Sequence, residues 1–451
     1  MTTSTLTIIK KTWQLAFALS LSRLFNMITG FVGTLMIARL GHNVLAASAL
    51  ISSTQATLFL ISISMLFSIG VVIGHAYGGK RYEEIGSVFQ QGLLLATLIC
   101  IPVIIIQCNI GSILIACGQN PQVAAINAHY FRAYSFAIPA FLWMISCQQF
   151  VLAVNKQRFV LFMSVVTLII SVTLSYSLVY GHFGLPRLGV TGLALAYSIQ
   201  GWAALLAYLA FCYWNKEFKE YKLFQWRFRQ NFHLLKKIFS IGWPITLQFA
   251  GDLLSFFVTT LMIGWLGTNE LAAQQIVTQY FLLLVVPIFA ISQASAILVG
   301  QARGAGAIHE IKRYGSTTLL IGLTFSLIAI TLFIFFPHTL IRLYLGQGQE
   351  LNLTMQHLAS IIFILTGLRL FFDAALEIKT GSLRGLYDTK FPMVTGLILT
   401  WLITIPLCYL FGFYYHWGLI GITSASIVGT ILAATIIYIR WLWQCNKFIN
   451  T

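Results

Sequence analysis

The sequence predicts an all-α integral membrane protein, with twelve transmembrane helices in two parallel six-helix repeats forming two lobes around a central cavity. Three observations predict this fold: long stretches without charge, an internal repeat at constant offset, and bases gathered on one side. Of 451 residues, 58% are hydrophobic and only 8% charged, against about a quarter charged in a soluble domain. From Gly86 to Phe131, and again from Phe391 to Ile439, there is no Lys, Arg, Asp or Glu. Each run is about twice the roughly 20 residues of one spanning helix, so each holds two helices and a turn. Turn residues mark both breaks, at Gly118-Gln119-Asn120-Pro121 and from Gly412 to Gly418. The alternating pattern of a membrane barrel is absent, and helices are then the structure that satisfies the backbone in lipid.

Taken in order, the first span, near 13–40, follows Lys10 and Lys11, and the second, 46–74, stops before the polar Gly78-Gly79-Lys80-Arg81. The first uncharged run supplies 88–116 and the start of 125–153, which ends at Asn155-Lys156. Spans 160–181 and 189–214 flank the Gly184-Leu185-Pro186-Arg187 turn. Span 239–266 begins after Lys236-Lys237, 271–300 after Glu270, and 315–337 after Lys312-Arg313. The remaining three are 356–381, 391–412 and 418–441.

The bases orient these spans. With both termini on one side, that side holds Lys10, Lys11, Lys80, Arg81, Lys156, Arg158, the seven bases from Lys216 to Lys237, Arg303, Lys312, Arg313, Arg384, Lys390, Arg440 and Lys447, which is 20 of 27. The opposite loops hold Arg39, Arg187 and Arg342. This bias places both termini in the cytoplasm, in the inner membrane of a bacterium. It also accounts for the net charge of +16 without a nucleic-acid partner, which would not need its bases scattered over short loops. No cleavable signal is expected, because Met1–Lys11 lacks an apolar core. The seven cysteines form no CxxC pair and read as small packing residues.

The repeat sets the organisation. TLMIARLGHNVLAA at 34–47 returns as TLMIGWLGTNELAA at 260–273, with ten of fourteen positions identical at an offset of 226. The register continues through Gly74-His75-Ala76-Tyr77-Gly78 against Gly300-Gln301-Ala302-Arg303-Gly304, and Glu84-Ile85 against Glu310-Ile311. Six spans per half return the chain to the same face, so the halves run in parallel, with a substrate site expected between them near the midplane. The expected domains are an N-terminal lobe at 1–214, a basic cytoplasmic linker at 215–238, and a C-terminal lobe at 239–451. The linker, with its KEFKEYKLFQWRFRQ alternation, reads either as an amphipathic helix on anionic lipid or as a solvated tether.

Several stretches resemble the multidrug and toxic compound extrusion (MATE) family, in particular its NorM-like branch. IGWPITLQFAGDLLSFFVTTLMIGWLGTNELAAQQI at 241–276 resembles the seventh and eighth helices. FFDAALEIKTGSLRG at 371–385 resembles the tenth, and LSYSLVYGHFGLPRLGVTGLALA at 174–196 the turn between the fifth and sixth. The resemblance covers essentially the whole chain. It implies a transporter, not an enzyme: a monomer that exports amphipathic, often cationic, organic compounds in exchange for H⁺ or Na⁺, with no cofactor beyond that ion.

Three of eleven carboxylates are expected at membrane depth: Asp252, Asp373 and Glu377, all in the second half. A charge at the bilayer centre costs at least about 2.5–3.5 kcal/mol, so each is a functional candidate. By resemblance, Asp252 and Asp373 occupy the family's coupling positions and would hold Na⁺ if sodium is the ion. Glu377 lies one turn from Asp373 on the same face. Neighbouring buried carboxylates favour proton uptake, and their oxygens suit a hard cation. The structural alternative is an intrahelical pair of Asp373 with Arg369. Arg23, Arg132 and Lys379 are expected to snorkel from span ends. Gln248, Gln275, Asn26, Tyr280 and Met262 are candidate cavity residues, with Met36, Phe256 and Phe257 as further apolar lining.

The sequence departs from the family in its first half. Gly33 stands where many members carry a first-helix aspartate, and Ser171 and Ser175 replace fifth-helix asparagines. Asp252 corresponds through the repeat to the neutral Asn26. Coupling is therefore expected in the second half alone. Two rivals stand beside it: a lipid-linked oligosaccharide flippase, which would want a basic cavity, and an intramembrane transferase using Asp373-x-x-x-Glu377 as half of a Mg²⁺ site.

Overall fold

The computed structural model describes residues 5–38, 40, 42–225, 232–345 and 353–449. Its helices are α1 (Thr5–Ala38), α2 (His42–Gly78), α3 (Tyr82–Cys108), α4 (Ile110–Ala116), α5 (Pro121–Tyr134), α6 (Ala137–Ala153), α7 (Gln157–Tyr180) and α8 (Gly189–Trp214). After a 3₁₀ turn (Lys216–Tyr221) follow α9 (Phe232–Leu266), α10 (Thr268–Gly304), α11 (Ile308–Phe335), α12 (Pro337–Leu345), α13 (Leu353–Gly385), α14 (Lys390–Ile398), α15 (Ile405–Tyr409) and α16 (Gly418–Ile449). Among the described residues there is no strand. Eleven helical stretches are long and apolar enough to cross a bilayer, or twelve when the bent pair α5–α6 is one span. The all-helical membrane fold read from the apolar runs is the one observed.

Three expected spans are modified, each for a local reason. The stretch 88–116 is not one helix, because Asn109 leaves helical geometry and separates α3 from α4. The stretch 125–153 bends by 52° between α5 and α6. Pro139 lies in the first turn of α6, and a proline ring excludes the carbonyl four residues earlier, here that of Ser135 at the break. The eleventh span passes through π-helical turns at Leu399–Thr404 and Leu410–Tyr414 around Pro406. Pro406 cannot donate a backbone hydrogen bond, and the widened turn accommodates its ring.

Packing divides the chain into two compact units, Leu21–Thr246 and Met1–Ser20 with Leu247–Thr451. Both crossing points fall inside helices, α1 at Ser20/Leu21 and α9 at Thr246/Leu247, and they are 226 residues apart, the offset of the repeat.

The interior of the first unit is aromatic. Tyr130, Tyr134 and Tyr197 are buried. The Tyr130 hydroxyl donates to Gln55 Oε1 at 2.7 Å, Tyr134 stacks on Tyr130, and Tyr197 meets Tyr134 edge-on. Gly33 is explained here: a β-carbon on it would overlap the Tyr197 hydroxyl. A side chain at that position, an aspartate included, would have to displace the Tyr197 ring. Ser171 and Ser175 are buried with hydroxyls that find no partner in the structure.

The linker corrects both expectations for residues 216–225. It is neither a lipid-lying helix nor a solvated tether, because it docks on the first unit. Phe218, Tyr221 and Leu223 are buried, each worth about 1.5–3 kcal/mol of apolar burial. Gln90 Nε2 donates to the carbonyls of Leu223 and Gln225 at 3.0 and 2.8 Å. The pairs Lys156–Glu217 at 2.7 Å and Lys222–Glu83 at 2.5 Å are exposed and add little beside that burial. Gly86 admits the Tyr221 carbonyl, which any side chain would strike. The rest of the alternating stretch, 226–231, lies outside the described residues.

In the second unit α10, α11 and α13 close through small residues. The Ser295 hydroxyl meets Ser382 at 2.7 Å and Thr318 at 3.0 Å. A β-carbon at Gly381 would overlap the Ser292 carbonyl. This close approach fixes the register of α13, which carries most of the charged site. Lys379 does not snorkel as expected. It is 1% exposed, donates to the Gly315 carbonyl at 3.0 Å, and lies 4.8 Å from the Trp441 ring. Its side chain turns toward α11 and α16, where π faces and a carbonyl replace water.

Candidate coupling site in the second unit

Asp252 sits 20 residues into α9, about 30 Å along a helix of roughly 50 Å. Its side chain is exposed, so the direction it faces decides its role. Leu247, Leu254, Leu261 and Trp265 form an exposed apolar stripe along α9, at 43%, 52%, 45% and 68%. Asp252 is about 200° from Leu254 around the helix, on the far side from that stripe. It shares its own side with Gln248, Ser255, Phe256 and Thr259, at three-, four- and seven-residue spacings. The leucine stripe and Asp252 therefore lie on opposite sides of α9, with the exposed Phe256 on the side of Asp252.

Four further ionisable groups act electrostatically on Asp252: Glu377, Arg384, Asp373 and Arg369, all from α13. They are arranged as two pairs. Arg369 Nε lies 3.3 Å from Asp373 Oδ2, close enough for an ion pair but misaligned for a hydrogen bond, and both atoms lack one. The same guanidinium lies 5.6 Å from the Phe281 ring. Arg384 Nη1 lies 3.4 Å from Glu377 Oε1, and its Nη2 donates to Gln248 Oε1 at 3.0 Å. Asp252 forms no ion pair among the described residues. Thr430 of α16 lies beside the Asp373 carboxyl, and the Ser292 hydroxyl donates to the Glu377 carbonyl at 2.7 Å.

Arg384 is the residue the sequence analysis misplaced. The positive-inside count assigned it to a cytoplasmic loop. The structure puts it in the last turn of α13, buried, with its side chain reaching back two turns to Glu377 and across to α9. Its seven-residue spacing from Glu377 was the available signal, since i and i+7 share a helix face. The Arg369–Asp373 pair anticipated as the structural alternative is present.

The other candidates are dispersed. Gln248 belongs to the site through Arg384. Met262 is 3% exposed within the apolar core of α9, α10, α13 and α16, so it does not line a cavity here. Tyr280 donates its hydroxyl to the Leu340 carbonyl at 2.8 Å and packs on Phe363, which makes it a brace between helices. Gln275 is exposed near the start of α10, and Asn26 is exposed on α1 in the first unit. Phe256 and Phe257 are exposed on α9 and Met36 is half-buried on α1. Among the described residues no three His, Cys, Asp or Glu side chains gather as a metal site. Of the two carboxylates named for Na⁺, Asp373 already faces a guanidinium.

Comparison with known proteins agrees with this architecture. The MatE family model matches residues 18–177 and 244–410, two blocks that start 226 residues apart. "Probable multidrug resistance protein NorM" of Synechocystis sp. is 26% identical over 434 residues, covering 96% of this chain and 93% of that protein. The protein of the same name from Rhizobium meliloti is 28% identical over 410 residues, covering 90% and 87%. Among solved structures, an outward-facing multidrug resistance MATE family transporter of the MOP superfamily superposes with a TM-score of 0.89 at 15% identity, covering 99% of both chains. The eukaryotic MATE transporter AtDTX14 superposes with a TM-score of 0.84 at 20% identity, covering 98% of both.

Proposed function

Because the chain belongs to the MatE family, we propose that it is a multidrug efflux transporter that exports amphipathic, often cationic, organic compounds in exchange for H⁺ or Na⁺. It is a multi-pass membrane transporter and not an enzyme; its relatives carry multidrug-resistance names. The observation that supports cation exchange is Asp252, a carboxylate without an ion pair on the side of α9 opposite the leucine stripe, within electrostatic reach of four charged groups of α13. A proton, Na⁺ or an organic cation competes for the same negative charge, and exchange follows from that competition. The proposed setting is a bacterial inner membrane with both termini cytoplasmic, which the distribution of bases supports, 19 to 3 once Arg384 is set aside.

The flippase reading loses support, because the acids at this site outnumber the bases. A transferase site on Asp373-x-x-x-Glu377 loses it too, because each of these carboxylates faces a guanidinium.

The test is ethidium transport in proteoliposomes under a pH gradient alone and a Na⁺ gradient alone. Wild type should respond to at least one gradient, and Asp252→Asn to neither. Equal gradient-driven transport by both proteins would overturn the reading.

A further inference from the structure

We propose that a charged cavity of the first unit, at the starts of α3 and α9, binds the headgroup of an aminophospholipid. The phosphate sits on the bases of the cavity and the ammonium on its glutamates. This site is separate from the acids of α9 and α13 and stands or falls without them.

The cavity measures about 510 Å³ and is lined by Arg81, Glu83 and Glu84 at the start of α3, Lys222 of the linker, and His233 and Lys237 of α9. Bases and acids alternate around it, which suits neither a simple anion nor a simple cation. A ligand that carries both signs a few bonds apart matches such a lining. Arg81 Nη1 lies 2.5 Å from Glu84 Oε2, Lys237 Nζ 3.6 Å from Glu84 Oε1, and Lys222 Nζ 2.5 Å from Glu83 Oε1. The Lys222 and Glu83 side chains are 47% and 79% exposed. An exposed pair of this kind is worth about 0–1 kcal/mol, so a zwitterion can exchange partners with it at little cost. The N-terminus of α3 has no side-chain cap, and its amides add a positive field that favours phosphate.

The internal repeat separates the charges the fold requires from those it does not. Lys237 and Glu84 correspond at the offset of 226 to Lys11 and Glu310, which also attract each other. That pair belongs to the architecture common to both halves. Ala307, His309 and Thr7 stand at the repeat positions of Arg81, Glu83 and His233, and Lys222 lies in the unrepeated linker. The additional charges are particular to the first unit.

The surroundings place the cavity at headgroup depth. Tyr213 and Trp214 are exposed at the end of α8, and Phe224 of the linker meets the Tyr213 ring at 5.9 Å. Exposed aromatic residues of this kind mark the boundary between membrane and water. Phe232 and Phe239 are also exposed, seven residues apart on one side of α9, flanking the side with His233 and Lys237. Acyl chains run along these rings while the headgroup turns into the cavity.

The test is native mass spectrometry of delipidated full-length protein with phosphatidylethanolamine, phosphatidylcholine or phosphatidylglycerol of matched chains. Phosphatidylcholine keeps the phosphate, but its trimethylated nitrogen cannot donate hydrogen bonds to a glutamate. Phosphatidylethanolamine should be retained at least about fivefold more tightly than phosphatidylcholine, as charge-assisted hydrogen bonds would require. Glu83→Gln should cut that preference to less than about twofold, and Lys222→Gln should weaken both lipids alike. Lys447→Gln, at the far end of α16, should change neither. Equal retention of the two lipids by wild type, or an undiminished preference in Glu83→Gln, would overturn the proposal. Lys222→Gln weakening phosphatidylglycerol more than phosphatidylethanolamine would assign the cavity to an anionic lipid instead and overturn it too. Soluble glycerophosphoethanolamine should displace the lipid only in large excess; displacement at equal concentration would overturn the membrane source.

Discussion

Asp252, Arg384 and Gly33 show how single side chains set the chemistry of this membrane protein. A carboxylate without an ion pair on a membrane-spanning helix is costly, and its natural complement is a positive guest. Asp252→Asn should abolish ion-coupled ethidium exchange, by 100-fold or more, with normal expression and folding. Asn26→Ala, at the repeat-equivalent position, should reduce it only a few-fold; comparable losses in the two variants would place coupling in both halves. Gly33 gives a stability prediction. A methyl group there strikes the Tyr197 hydroxyl, so Gly33→Ala should lose about 1–3 kcal/mol through overpacking, read as a lower unfolding temperature in detergent. Tyr197→Phe should recover much of that loss, and strict additivity of the two changes would refute the contact. The three membrane carboxylates were legible in the sequence because charge is rare in apolar runs. Arg384 was not, since a base near a span end looks the same whether it points to water or folds back onto Glu377.

Among the elements, the docked linker and the broken spans show what composition conveys and what it does not. Hydropathy counts apolar residues and finds the spans, but it is blind to a one-residue interruption such as Asn109 or to a carbonyl excluded by Pro139. The linker looked like a membrane-surface helix because aromatic and basic residues alternate in it. The same pattern serves a segment whose aromatics insert into a protein groove while its charges pair outward, Lys222 with Glu83 and Glu217 with Lys156. Phe218→Ala or Gly86→Ala should release it. In purified protein, trypsin cleavage at Lys219 and Lys222 should then accelerate about tenfold, with no change in cleavage elsewhere. Unaltered cleavage would mean that the buried aromatics do not hold this segment. Lys379 makes a similar point within α13, since its place near the span end suggested water and its neighbours proved to be Gly315, Tyr438 and Trp441.

For the whole molecule, duplication explains both the symmetry and its functional limit. The repeat at 226 residues was legible because ten identities in fourteen positions survive, and the family match starts in the same register. The two units nevertheless differ, with buried tyrosines in one and a set of five charged groups on α9 and α13 in the other. That difference was only half legible. Missing carboxylates can be read from a sequence, but the ring that fills their place comes from a distant helix. The account stands on rivalry between an organic cation and a small ion for Asp252. The most direct measurement is ion release when saturating ethidium is added to purified transporter in weakly buffered solution, with and without Na⁺. Wild type should release about one H⁺ or one Na⁺ per dye bound, and Asp252→Asn none. Dye binding of equal affinity in both proteins, without ion release from either, would contradict it.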